Sequence, residues 1–429
     1  MKLRSHVRAL TAVSALSAAT LLGLTACSSS TDAPTASQSA GQEAADTAGR
    51  GPITYAMGKN DADKLLPIIE KWNQAHPDEQ VTFKELAGEA DDQRDSLVQT
   101  LQAGNDDIDV MALDVIWTAE FAANQWLAPF EGDLAIDTSK LLQPTVASGT
   151  YFGKLYAVPQ NTNGQLLFRN TEVMDLAPKN FQALADSCSK AVEAKMDCLT
   201  VQLKQYEGLT VNTAGFMEGW GGHILNEDGT PAVTSPESQA GLQALVDAYT
   251  NGVISKKSTA ATEQETHLAF TNGETAYAIN WPYMFDMASG EESKVAGKFD
   301  VSPLVGDNGV GVSTLGGYNN GININSKHKA TARDFIEFIL AEENQMYFAE
   351  HSFPPVLASV YDDAALVEKF PYLPALKVSL EHAVPRPASP FYPAISKAIQ
   401  DNAYAALTAG KSVADATADM QKAMEAAGK

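Results

Sequence analysis

Positive charge is what this 429-residue chain has least of. Its 30 lysines and arginines stand against 53 aspartates and glutamates, a formal net charge of −23. Such a surface repels phosphate backbones and anionic headgroups, so neither nucleic acid nor an acidic lipid surface is expected as a partner. Cysteine is scarce as well, with only Cys27, Cys188 and Cys198. The seven histidines are scattered and none lies near Cys188 or Cys198, so no Cys/His ligand set can be assembled from spacing, and neither a metal nor another cofactor is called for. Long apolar runs are missing apart from residues 9–24, which are short for a bilayer span and lead into polar residues rather than a basic stop-transfer patch.

That run follows the basic start MKLRSHVR and stops at Leu24-Thr25-Ala26-Cys27. It reads as a secretory signal peptide over residues 1–26. The small residues before Cys27 look like a bacterial lipobox, which implies cleavage before Cys27, lipidation of its thiol, and attachment to the outer face of the cell membrane. Residues 28–51 are rich in Ser, Thr, Ala, Gly, Gln and Asp without apolar period, a disordered tether with a reach of roughly 25–30 Å as a flexible coil. The rest, from about residue 52 to 429, is long enough for two domains. Outside the cytoplasm, Cys188 and Cys198 are expected to form a local disulfide.

Residues 53–57 alternate as a strand, Gly58-Lys59-Asn60-Asp61 is a polar loop, and Leu65, Leu66, Ile68, Ile69 and Trp72 recur at helical spacing. Pro67 inside that period predicts a late helix start or a kink. The unit repeats: strand 81–86, helix 92–103, strand 108–113. Alternating β and α units imply parallel strands with helices on both faces of a sheet. Asn60 or Asp61 at the end of the first strand, and Asp114 with Trp117 at the end of the third, lie where open α/β sheets place ligand crevices. Each has an ordinary alternative, helix capping for the acids and core packing for the indole.

Residues 159–164, PQNTNG, read as a polar, flexible crossing between two lobes. Further on, glycines flank Trp220 and leave it on a mobile or sharply turned segment. The stretch 275–285, TAYAINWPYMF, begins as a strand and ends abruptly, because Pro282 cannot donate to a ladder. Trp281 and Tyr283 then emerge together at a strand end, as core packing or as a platform for a flat, partly apolar molecule. Residues 309–325, GVGVSTLGGYNNGININ, predict a glycine-rich second crossing containing Tyr318, and residues 353–357 a third. Arg386, fixed between Pro385 and Pro387, is suited to reaching one oxygen-rich target.

A lipobox, a tether, a βαβ lobe, a Pro/Asn-rich crossover and a second lobe stand here in one order. With Asn280-Trp281-Pro282-Tyr283, residues 313–318 (STLGGY), residues 329–338 (KATARDFIEF) and Arg386-Pro387, the chain resembles the carbohydrate-binding proteins of ABC importers, in particular the trehalose/maltose branch. The resemblance covers about residues 53–426. It implies an α/β, two-lobed periplasmic-binding-protein-like fold of type II, each lobe a sheet flanked by helices and joined by crossover hinge segments. The lobes are placed at residues 52–160 plus about 320–354, and 161–319 plus about 355–429.

The same resemblance implies that Trp281 and Tyr283 stack on and bond to sugar, that Asp114 accepts from hydroxyls, that Arg386 donates to them, and that the Gly316-Gly317 backbone forms cleft wall. Tyr318 falls where relatives often carry Trp. Either Asn60 or Asp61 faces the ligand, and Trp117 and Trp220 are weaker transfers. The function so implied is capture of trehalose, maltose or a related saccharide and delivery to an ABC permease, by a monomer and without catalysis. The alternative is an extracytoplasmic glycoside hydrolase, which needs two carboxylates roughly 5–10 Å apart across a sugar; no such pair is singled out by the sequence.

Overall fold

The structure, a computed structural model, describes residues 49–226 and 229–427. The expected leader, Cys27 and most of the tether lie outside those residues. Twelve strands are present among them: β1 (Ile53–Gly58), β2 (Val81–Leu86), β3 (Val110–Asp114), β4 (Thr150–Tyr151), β5 (Lys154–Leu155), β6 (Ala157–Asn163), β7 (Leu166–Asn170), β8 (Asp197–Thr200), β9 (Thr275–Asn280), β10 (Phe299–Pro303), β11 (Thr314–Ile322) and β12 (Val384–Pro385). One sheet runs β12-β11-β3-β1-β2 with β6 also on β11; the other runs β10-β7-β9-β8; β4 and β5 form a hairpin. The two main sheets are the cores of two lobes.

Strand alternation assigns each face of the first sheet its own core. Ile53, Tyr55 and Met57 of β1, with Val110 and Ala112 of β3, pack with Trp72 of the helix Ala62–Ala75 and Phe335 of the helix Lys329–Ile339. Ala56, Met111 and Leu113 point the other way, onto Leu97 and Leu101 of the helix Ala90–Gln102. In the second sheet Leu167, Tyr277 and Ile279 share one core and Leu166, Phe168 and Ala278 another. Both sheets are therefore covered by helices on two sides, as the βα periodicity predicts for the first and the resemblance implies for each. Cys188, on the helix Phe181–Glu193, is joined by a disulfide to Cys198 in β8. Among the described residues no helix is long and apolar enough to cross a membrane.

Three local expectations differ from what is found. Of the two outcomes expected at Pro67 the late start is not found: the helix Ala62–Ala75 begins ahead of it and runs through it. Pro67 and Asp63 are both exposed, so the Asp63 carbonyl that loses its helical partner faces water. The segment 159–164 is not a flexible run: all but its last residue lies in β6, buried almost throughout. Two of its polar groups are tied to neighbouring backbone: the Pro354 carbonyl accepts from the Thr162 amide at 2.9 Å, and Asn161 Oδ1 accepts from the Tyr318 amide at 3.0 Å.

The glycine-rich stretch, likewise, is mostly β11, the strand that pairs antiparallel with both β3 and β6. Its asparagines are buried with partners: Asn320 Oδ1 accepts from Tyr55 at 2.6 Å, and Asn319 Nδ2 donates to Thr118 and Ser148 at 3.2 and 3.1 Å. Its glycines let neighbours approach. A Cβ on Gly317, whose φ is +121°, would overlap the Asn161 carbonyl and stand 2.9 Å from Thr162 Cα. Polar composition here marks close packing rather than solvent.

Candidate functional site

The carboxyl ends of β1 and β3, the middle of β11 and the end of β9 converge on a cleft of about 660 Å³, counting its solvent-open part. This follows from topology, since side chains just past the ends of parallel strands meet where crossovers diverge. Asn60, Asp61, Asp114, Trp281, Tyr283, Gly316, Gly317, Tyr318 and Arg386 all line it.

Trp281 follows β9, its amide fixed by Asn280 Oδ1 at 2.8 Å while Asn280 Nδ2 donates to the Glu263 carbonyl at 3.0 Å. Its indole is partly exposed and lies over Gly316, where a Cβ would come within 2.9 Å of the ring. Tyr283 is buried, and its hydroxyl donates to the Glu263 carbonyl at 3.2 Å and meets His267 Nδ1 at 3.1 Å. The indole is thus the available ring face, and the phenol is tied into the wall. Asn60 Nδ2 donates to the Gly88 carbonyl at 2.9 Å, bracing two loops, while Asp61 is buried with its carboxylate bonded by the Tyr318 hydroxyl.

Arg386 is not a free donor. Nη2 donates to Asp114 and Nη1 to Glu207, both at 2.8 Å, in a buried triad with the Tyr392 hydroxyl and Ser396 Oγ also on Glu207. Asp114 at the end of β3 belongs to the first sheet, and Glu207 opens the helix Glu207–Gly219 beside the second. The guanidinium therefore bridges the two walls. Trp117 and Trp220 do not line this cleft. Trp117 is buried against Phe121, because its turn faces the core behind β3, and Trp220 stacks on Phe216 at 5.3 Å, anchored there rather than mobile.

The sequence reading missed Gln93, Asn163, Tyr206, Glu207 and Glu263, which also line the cleft. Glu207 and Glu263 each open a helix. Acids in the first turn are ordinary complements of the helix dipole, so nothing local distinguished them. Glu263 Oε2 accepts from the Tyr206 hydroxyl at 2.7 Å. Burial raises its carboxyl above the usual range, against the Tyr206 hydrogen bond. Burial likewise pushes Glu207 up to about 7, against the pull of Arg386, Ser396 and Tyr392. Asp61 is pushed to about 7 by burial first and Asp63 second, while Lys64 and Tyr318 pull it down. For Arg386, burial opposes the charge, but Asp114, Tyr392 and Glu207 outweigh it and hold the guanidinium ionised.

A partly exposed ring beside four carboxyl groups and one guanidinium has the chemistry to meet a ligand with apolar faces and many hydrogen-bond donors. Residues 68–375 match the family described as bacterial extracellular solute-binding protein, and the chain belongs to that family. Its members are non-enzymatic carriers, which sets the hydrolase alternative aside.

A probable ABC transporter-binding protein of Deinococcus radiodurans is 29% identical over 332 residues, 72% of this chain and 77% of its own length. Maltose-bound MalE3 of T. maritima superposes with a TM-score of 0.82 at 30% identity, over 87% of this chain and 99% of that one. The GacH receptor of Streptomyces glaucescens, solved unliganded and with acarbose, gives a TM-score of 0.80 at 22% identity, over 88% and 98%. The two-lobed α/β fold expected from the sequence is therefore shown, as is the family.

Proposed function

We propose that this protein is a lipid-anchored, extracytoplasmic solute-binding protein that captures trehalose, maltose or a related saccharide and delivers it to an ABC import permease. One observation carries the reading: the partly exposed Trp281 indole lies in the same cleft as Asp61, Asp114, Glu207, Glu263 and Arg386. An indole covers the apolar face of a sugar ring, and carboxylates accept from its hydroxyls. The likeness to maltose-bound MalE3 supports a sugar as the ligand. The two walls are joined by Arg386, so closure of the lobes around the sugar is the binding step. The lipobox-like residues before Cys27 support a lipid leash, and the protein acts as a monomer.

Titration calorimetry with a panel of disaccharides tests this. Maltose, trehalose or another glucoside should bind, and Trp281→Ala should weaken that binding at least about 10-fold, a loss typical of removing a stacked aromatic contact. Folded protein that binds no member of the panel would sink the sugar reading. For the anchor, the mature protein should take up a radioactive fatty acid, and an unlabelled product would refute it.

A further inference from the structure

Among the described residues eight buried side-chain nitrogen and oxygen atoms have no hydrogen-bond partner among the protein's own groups, and three of them, Gln93 Oε1, Asn163 Oδ1 and Arg386 Nε, belong to residues lining the cleft. Buried polar atoms are normally paired, so such a concentration at one cleft marks groups whose partners come from outside the chain. Gln93 is the most telling. It projects from the first turn of the helix Ala90–Gln102, is only 3% exposed, and its buried amide oxygen Oε1 has no partner within the protein. The amide lies over Gly58 at the end of β1, where a Cβ would stand 2.6 Å from Gln93 Cδ and 2.7 Å from Oε1. Gly58 itself has φ −63° and ψ 144°, a conformation open to any residue, so what the glycine supplies is room for this amide.

We propose that Gln93 is a specificity-determining residue of the cleft, its amide carbonyl accepting a hydrogen bond from one ligand hydroxyl. The inference rests on the saccharide reading above and narrows it: the ligand is an unsubstituted polyhydroxylated saccharide, and a derivative lacking that hydroxyl or carrying it as an ether is rejected. The surroundings favour the same class. Four carboxylates and two unpaired amide oxygens accept hydrogen bonds, whereas the one guanidinium is spent on Asp114 and Glu207 apart from Nε. Hydroxyls supply the donors such a wall lacks. A uronic acid or sugar phosphate would instead set a further negative charge among the acids and is excluded.

The test is titration calorimetry of the whole protein and of Gln93→Met, using maltose, trehalose and the mono-deoxy derivatives of whichever binds. Methionine keeps the length of the side chain and removes both polar atoms. Gln93→Met should bind the parent saccharide about 10- to 100-fold more weakly, the usual consequence of losing a buried hydrogen bond whose partner stays unpaired. One mono-deoxy derivative should be weakened by a similar factor on the wild type and no further on the variant. The thermal midpoint of the unliganded variant should equal or exceed that of the wild type, because an unpaired buried acceptor has been removed; a purely structural glutamine would move it down. Should Gln93→Met not fold, Gln93→Asn, which withdraws the amide by one methylene, is judged by the same criteria. Wild-type binding of a saccharide with affinity unchanged within twofold in the variant overturns this inference alone. Wild-type protein that binds neither saccharide overturns the sugar reading and this inference with it.

Discussion

Arg386 joins more of this molecule than any other single side chain at the cleft, because its guanidinium satisfies Asp114 from one wall and Glu207 from the other. Removing one partner of a buried ion pair strands the others, at a cost of about 3–5 kcal/mol. Arg386→Met should therefore lower the urea-unfolding free energy by about that much and abolish tight ligand binding. Adding Glu207→Gln to it should restore part of the stability but not the binding. Asp61 carries a different prediction. Its folded pKa of about 7 lies above the free value of 3.8, so between those values the folded protein holds a proton that the unfolded chain releases. The stability this contributes is complete below about pH 4 and lost as pH rises to about 7. Urea midpoints of the unliganded protein, compared at pH 5 and pH 8, should fall by less in Asp61→Asn than in the wild type. An equal fall would place the dependence elsewhere.

At the scale of elements, β11 is what shapes the cleft. It pairs with β3 and β6 along its length and with β12 at its start, so it places Gly316, Gly317 and Tyr318 in the wall and carries β12, with Arg386 beyond it, alongside. Gly317 permits this by its left-handed φ and by the close approach of β6. Gly317→Ala meets both obstacles, and a destabilisation of about 1–3 kcal/mol is expected from backbone strain alone, measurable as a lower thermal midpoint. A variant as stable as the wild type would contradict the packing described here. The strand was hard to recognise in the sequence because its buried positions are Asn and Gly. Such residues read as loop until the hydrogen bonds they make with Tyr55, Thr118 and Ser148 are in view. By contrast, β9 was legible at once, since apolar alternation ending at a proline needs no tertiary partner to interpret.

For the whole molecule, the two lobes are tied at the cleft margin by groups that do not line it. Lys64, on the helix Ala62–Ala75, reaches Asp286 at 3.0 Å on the helix Met284–Ser289, and Ser352 donates to the same carboxylate at 2.7 Å. Lys204 pairs with Glu89 across the walls in the same way. If closure is the binding step, these ties favour the closed form without touching ligand, and a residue that shifts the closed population shifts affinity by the same factor. Asp286→Ala should then raise the ligand dissociation rate several-fold in stopped-flow fluorescence, with ligand selectivity unchanged. An unaltered rate would make the tie merely structural.

What the sequence by itself determined is the βα rhythm, the strand ends that carry Asn60 and Asp61 as alternatives, Asp114 and Trp281, and the proline-bracketed Arg386. These depend on periodicity, on strand termination and on fixed backbone angles, all of which act within a few residues. Only the tertiary structure decided that Trp117 and Trp220 pack away from the cleft, that Arg386 is held by Asp114 and Glu207, and that Gln93 lies unpaired over Gly58. Each of those depends on which helix face or helix end meets a strand more than thirty residues distant, and no local pattern carries that information.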